Sequence, residues 1–262
     1  MFLNHFDLTA HPFAEKPPID WLLRDERTDQ ALARLKFFEQ QGAIALIIGQ
    51  TGLGKSSLLR LFIDQLPHNR YHPVYLHLTP LNANAFLRLI VTKLGEKPLM
   101  GKDRMLMQIL DRININDKCT LFIIDEAHLI DPKILTDLRL LISSIDQQVS
   151  LKIILCGQEN LSQILKRASY ADLVHRITLQ FVIHPLSKQK TAAYIDYRIT
   201  KAGGADKIFE TETKELIHDY TGGVPRQINN VATACLINAA AKSLKQITEA
   251  LVNETMTEFS LP

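Results

Sequence analysis

The run GQTGLGKSS, residues 49–57, separates the apolar stretch AIALII (43–48) from LLRLFIDQL (58–66). A strand-like segment therefore passes through a glycine-rich turn into a helix-like one. A tight turn needs glycine, but it does not need a lysine followed by two serines. Binding a phosphate needs all of these. Gly49, Gly54, Lys55 and Ser56 fit the pattern G-x-x-x-x-G-K-[ST]. Glycines let backbone N–H groups approach phosphate oxygens, and the following helix presents its positive end. Lys55 is then placed to reach the β- and γ-phosphates of ATP, and the Ser56 hydroxyl to ligate Mg2+. Gly49, Gly52, Leu53, Gly54, Lys55, Ser56 and Ser57 are the expected nucleotide contacts.

A phosphate loop predicts an acidic residue at the end of a second buried strand. LFIIDEAH (121–128) supplies it, with four apolar residues before Asp125 and Glu126. Asp125 suits the magnesium, and Glu126 is placed to polarise a water attacking the γ-phosphate. The strand-like run Val74 to Leu78 intervenes between the two motifs, which, with Glu126, argues for an ATP hydrolase rather than a nucleotide kinase. At the end of the next apolar run, LKIILCGQEN (151–160), Gln158 is the candidate polar residue near the γ-phosphate.

Apolar runs at 43–48, 74–78, 120–124, 151–155 and 177–183 read as five buried strands alternating with helical segments. This pattern implies an α/β fold around a five-stranded parallel sheet covered on both faces. Asp131 and Pro132 open a helix, along which Leu135, Leu138, Leu141, Ile142 and Ile145 recur at helical spacing. The texture changes at HPLS (184–187). Beyond it, Ser187 caps one helix that Gly203 and Gly204 end, and Gly222 and Gly223 end a second. Pro225 opens a third, and a fourth runs through Ile247 and Leu251. The expected division is a nucleotide-binding domain over 1–184 and a helical lid domain over 185–262.

The 262 residues are 46% hydrophobic and 22% charged, with a net charge of +2, which permits contact with nucleic acid without requiring it. Cys119, Cys156 and Cys235 stand too far apart for a metal-ligand spacing and read as thiols in a reducing compartment. The N-terminus has neither a basic start nor a continuous apolar segment, and no run reaches membrane-spanning length. The expected location is cytoplasmic.

At this point the chain resembles the AAA+ ATPases, whose order of motifs is phosphate loop, strand-end DE, polar sensor, an arginine before the fifth strand, and a helical lid. More narrowly it resembles the ExeA/GspA and TniB/TnsC-like branch, through HFDLTAHPF (5–13), YIDYRITKAGG (194–204) and TGGVPRQIN (221–229). The resemblance implies that Arg226 is a second sensor touching the γ-phosphate. It also implies that Arg176, with Arg167 as a rival, is lent to a neighbouring subunit's site. Gln158 departs from the asparagine, serine or threonine common at the first sensor. Phe6, Pro12 and Phe13 become candidates for a wall near the adenine, with plain core packing as the alternative.

Two functions follow from the same resemblance. One is an ATP-dependent regulator of DNA transposition that forms a ring or helical oligomer on duplex DNA and recruits a transposase and a targeting protein. The alternative is an ExeA/GspA-like ATPase assisting assembly of a secretion channel. Secretion members continue into a membrane segment and a peptidoglycan-binding region, so a chain that stops at Pro262 leads to the expectation of a transposition regulator. The expected DNA contacts are to backbone, from Thr79, Asn82 and Asn84 in TPLNANAF (79–86) and from Lys102 and Arg104, with Lys93 and Lys97 extending the stripe. A solvated helical face is the alternative for those basic residues.

Overall fold

The computed structural model describes residues 2–144, 151–205 and 207–259. In chain order the elements are α1 (Phe2–His5), α2 (Glu26–Gln41), β1 (Ile44–Ile48), α3 (Lys55–Asp64), β2 (Tyr71–His77), α4 (Ala83–Lys93), α5 (Lys102–Asn114) and β3 (Cys119–Asp125). Then come α6 (Pro132–Ser144), β4 (Leu151–Gly157), α7 (Glu159–Leu165), α8 (Ala171–Val174) and β5 (Ile177–Val182). The last four helices are α9 (Lys188–Lys201), α10 (Thr211–Thr221), α11 (Pro225–Ala241) and α12 (Glu249–Phe259). The chain divides into two units. One comprises Glu26–Thr51 and Lys55–Ile183, and the other Met1–Asp25, Gly52–Gly54 and His184–Pro262.

The first unit is built on a five-stranded parallel sheet in the order β2-β3-β4-β1-β5. Its three inner strands are nearly continuous runs of buried residues, as a sheet covered on both faces requires. Ile44, Leu46, Phe122 and Ile124 share one core with Phe86, Ile90, Ile109 and Leu138. Ile47 and Ile123 alternate to the opposite face and are equally inaccessible. The two edge strands depart from expectation. β5, read as buried, alternates between half-buried and exposed residues, because it pairs only with β1. β2 begins at Tyr71, ahead of the expected start, because an edge strand tolerates Pro73.

Because all strands run parallel, the turns after β1, β3 and β4 emerge at one end of the sheet, where α/β folds bind their ligands. α6 begins as expected: Asp131 accepts from the Lys133 N–H at 3.0 Å, and Ile134, Leu135, Leu138 and Leu141 are buried. Ile145 lies outside the described residues.

The second unit is helical. Ser187 caps α9 by accepting from the Lys190 N–H at 3.3 Å, and Gly222 closes α10 with a φ of 56°. Gly223 is required for space, since a Cβ there would stand 2.0 Å from the Leu186 carbonyl oxygen. The fourth helix corrects the sequence reading. Ile247 precedes it, pairing with Phe209 and donating to the Ile208 carbonyl at 2.8 Å. Leu251 alone of the two marker residues lies within α12.

The N-terminal segment, expected with the nucleotide-binding domain, packs in the helical unit instead. Phe6, Leu8 and Phe13 join the core formed by Ile195, Ile199, Ile217 and Leu236. The buried Arg198 fastens the segment by donating from Nε to Pro12 O at 2.6 Å and from Nη2 to Ala14 O at 3.1 Å. Phe6 and Phe13 are therefore core residues, the alternative to an adenine wall.

Candidate nucleotide site

The turn after β1 is held at its base by the Gly49 N–H, which donates to Gly157 O at the end of β4 (3.1 Å). Gly54 has a φ of 93° with open space around it, so its need for glycine is conformational rather than steric. Lys55, Ser56 and Ser57 form the first turn of α3. Lys55 is buried, and its ammonium donates to Gly49 O at 2.8 Å and Gln50 O at 2.9 Å. Among the described residues no carboxylate neutralises it, so this buried cation is suited to an anion. Leu53 is buried, and Gly52 accepts from the Arg226 N–H at 3.2 Å.

Asp125 ends β3 with no exposed surface. Its Oδ2 accepts from Ser56 Oγ at 2.7 Å and from the Tyr75 hydroxyl at 2.5 Å, and its Oδ1 from the Glu126 N–H at 2.9 Å. His77 Nδ1 lies 3.8 Å from Oδ2. The Ser56 and Asp125 oxygens are the hard ligand pair that would hold Mg2+, which takes few protein ligands and completes its shell with phosphate and water. Among the described residues no cluster of three or more His, Cys, Asp or Glu side chains is arranged for a metal. Burial, then hydrogen bonding to Asp125, pushes the Tyr75 phenol up and keeps it a donor. Burial, then the Asp125 charge, pushes the Cys156 thiol well up as well.

Glu126 adopts φ 57° and ψ 34°, a left-handed conformation that costs a non-glycine residue about 1–3 kcal/mol. It starts the short turn Ala127–Leu129, which carries His128 back toward the end of β4. His128 Nε2 lies 2.9 Å from Gln158 Nε2. Its Nδ1 is buried, lies 3.4 Å from Glu126 Oε2 and makes no hydrogen bond among the described residues. Gly157 permits this approach: a Cβ there would meet the His128 N at 3.0 Å.

The structure thus joins Lys55, Ser56, Asp125, Glu126 and Gln158 around the strand ends. Sequence reasoning missed Tyr75 and His128. His128 stands inside the quoted LFIIDEAH, but its contact with Gln158 spans 30 residues and has no sequence signal. Arg176 is exposed and donates to Ser143 Oγ at 3.3 Å. Arg167 is also exposed. Arg226, in the helical unit, lies 3.9 Å from Glu15.

The residues expected to contact DNA have mixed employment. Asn82 caps α4 by accepting from the Ala85 N–H at 2.9 Å. Lys102 forms an ion pair at 2.6 Å with Asp137, whose side chain is 1% exposed. Thr79, Asn84, Lys93, Lys97 and Arg104 are exposed. Asn82 and Asn84 border a groove of ≈ 550 Å³ whose lining includes Leu81, Ala85 and Leu89.

A family model for the AAA domain matches residues 39–165, the stretch holding the phosphate loop, the Asp125–Glu126 pair and Gln158. The fold is that of the P-loop AAA+ structures, and the AAA-domain match falls on the stretch that carries the site. Among curated relatives it is 30% identical over 269 residues to General secretion pathway protein A of Aeromonas hydrophila, an alignment covering 99% of this chain and 49% of that protein. The chain spans about half the length of this relative. Cdc6p from Pyrobaculum aerophilum shares the fold with a TM-score of 0.79 at 17% identity, over 96% of this chain and 74% of that one. The ADP form of Aeropyrum pernix ORC2 gives 0.72 at 18%, over 94% and 72%. At these identities the two structures speak to fold alone. Among the described residues no helix is long and apolar enough to cross a membrane.

Proposed function

We propose that the chain is the ATPase part of a secretion-channel assembly system. The observation that carries this reading is the 30% identity to General secretion pathway protein A along essentially the whole chain. That likeness favours the secretion alternative over the transposition regulator expected from the chain's end at Pro262. The relative is about twice as long, so the position of the end does not discriminate between the two.

In this reading the glycine turn and Lys55 bind the phosphates of ATP, while Ser56 and Asp125 hold Mg2+. When bound, the magnesium neutralises charge on the β- and γ-phosphate oxygens. Tyr75 keeps the Asp125 carboxylate oriented. Glu126 orients the attacking water and accepts its proton as the new P–O bond forms and ADP leaves. Gln158 reports on the γ-phosphate from the end of β4. Arg226 serves as the second sensor, and Arg176 of one subunit completes the site of the next in a cytoplasmic oligomer.

The test is genetic. Deleting the gene in its own host and returning it as wild type or Lys55→Ala should show that only the wild type restores protein secretion and channel assembly. Normal secretion in the deletion strain, with altered transposition frequency, would restore the transposition reading.

A further inference from the structure

We infer that His128 is a positioning residue through which Gln158 sets the carboxylate of Glu126. This rests on the reading above, in which Glu126 handles the attacking water. The geometry begins with the Gln158 amide nitrogen, which can only donate, so the His128 Nε2 at 2.9 Å must accept. A neutral ring then carries its proton on Nδ1. That nitrogen is buried, has no hydrogen-bond partner and faces Glu126 Oε2 at 3.4 Å. The ring itself cannot drift, since its side chain is 7% exposed and the turn packs against Gly157.

The result is a chain of three side chains, Gln158 to His128 to Glu126, with one hydrogen bond made and one contact left just too long. While the Gln158 amide donates to His128, the ring is held in the Nδ1–H form and attracts Glu126. When Gln158 turns its amide away, Nε2 loses its donor and the fixed ring can take the Nε2–H tautomer. That form offers Glu126 Oε2 no proton, so the carboxylate is no longer held for the attacking water. The left-handed backbone at Glu126 places its carboxylate at the ring. His128 thereby makes the activity of Glu126 depend on what Gln158 touches.

The test uses His128→Asn, which keeps a group near Nδ1, His128→Gln, which keeps one near Nε2, Gln158→Ala, and the two His128 variants each combined with Gln158→Ala. Each single variant should lower kcat about 10- to 100-fold, with affinity for a non-hydrolysable ATP analogue within about 2-fold of wild type. Each double variant should be no worse than its worse single, because both changes break one chain. Losses that multiply, or a His128→Asn enzyme with wild-type kcat, overturn the proposal. Ring nitrogen NMR of the nucleotide-free protein gives a second readout. It should show Nδ1–H at His128 in wild type and a changed signal in Gln158→Ala; an Nε2–H ring in wild type also overturns it. Glu126→Gln serves as the separate control. If that variant hydrolyses ATP normally, the role of Glu126 fails, whatever the His128 variants do.

Discussion

Tyr75 donates its phenolic hydrogen to Asp125 Oδ2 across 2.5 Å, at the same oxygen that Ser56 reaches across 2.7 Å. The contact follows from strand register. Tyr75 pairs with Ile123 on the neighbouring strand, and Asp125 stands two residues along on the same face. A buried carboxylate is thus anchored before any metal need be considered. Tyr75→Phe should destabilise the protein by about 1–2 kcal/mol, because Asp125 loses a donor it cannot replace with water. It should also shift the Mg2+ concentration that half-saturates ATP hydrolysis, with nucleotide affinity little changed. Urea unfolding and a magnesium titration check the two effects, and an unaltered midpoint in both would remove Tyr75 from the site.

On the proposed mechanism the phosphate loop serves ATP binding and the strand-end glutamate serves turnover. Lys55 is a buried cation among carbonyl oxygens, so Lys55→Ala should lose ATP binding. Glu126→Gln keeps the shape of the turn while removing the proton acceptor, so it should bind ATP and fail to hydrolyse it. Equal ATP affinity in wild type and Lys55→Ala would contradict the assignment.

Lys102 answers to Asp137. Their 2.6 Å ion pair supplies the charge partner of a carboxylate with almost no solvent access. Lys102→Met should cost about 2–3 kcal/mol, somewhat below the cost of breaking a fully buried pair because Lys102 is itself half exposed. Asp137→Leu in the same chain should recover most of that loss. Weak DNA binding by Lys102→Met alone therefore says nothing about phosphate contacts unless the double variant behaves the same way.

Two buried thiols set an alkaline limit. Burial pushes Cys235 up from 9.0 to about 11, and burial followed by the Asp125 charge pushes Cys156 up as well. Both pKa values are higher in the folded chain, so both thiols ionise first in the unfolded one. Their stabilisation is fully present below pH 9 and is lost as pH rises through the folded values. For Cys235 alone the loss is at most about 3 kcal/mol between pH 9 and 11. Cys235→Ala should flatten the decline of stability over that window, whatever it costs at neutral pH. At pH 8, thiol labelling should reach the half-buried Cys119 long before the other two.

Much of this could be read from the chain because local chemistry dictated it. A glycine run before Lys55 has few uses, and LFIID announces a covered strand ending in a carboxylate. The misreadings arise where tertiary position decides. Nothing in ITLQFVI tells a central strand from an edge one, and Pro73 hides the true start of β2 from anyone who assumes an interior strand. Phe6 and Phe13 were legible as apolar anchors, but which core they enter depends on Arg198, some 185 residues away. Tyr75 and His128 likewise gain their roles only when neighbouring strands are in register.

Arg176 tests whether the site is shared between subunits. Its guanidinium is exposed, just ahead of β5, and touches Ser143 rather than any phosphate-loop side chain of its own chain. An arginine supplied by a neighbour stabilises charge on the transferred phosphoryl group, an effect worth ~10³- to 10⁵-fold in related systems. Arg176→Ala should therefore bind ATP almost normally, yet hydrolyse it poorly and assemble weakly. Mixing it with Lys55→Ala should restore part of the activity, because a subunit with a defective loop still lends its arginine to an intact one. The rescue needs mixed oligomers, so it should rise with protein concentration. Full turnover by Arg176→Ala alone would exclude it as the lent residue and make Arg167, also exposed, the next to substitute.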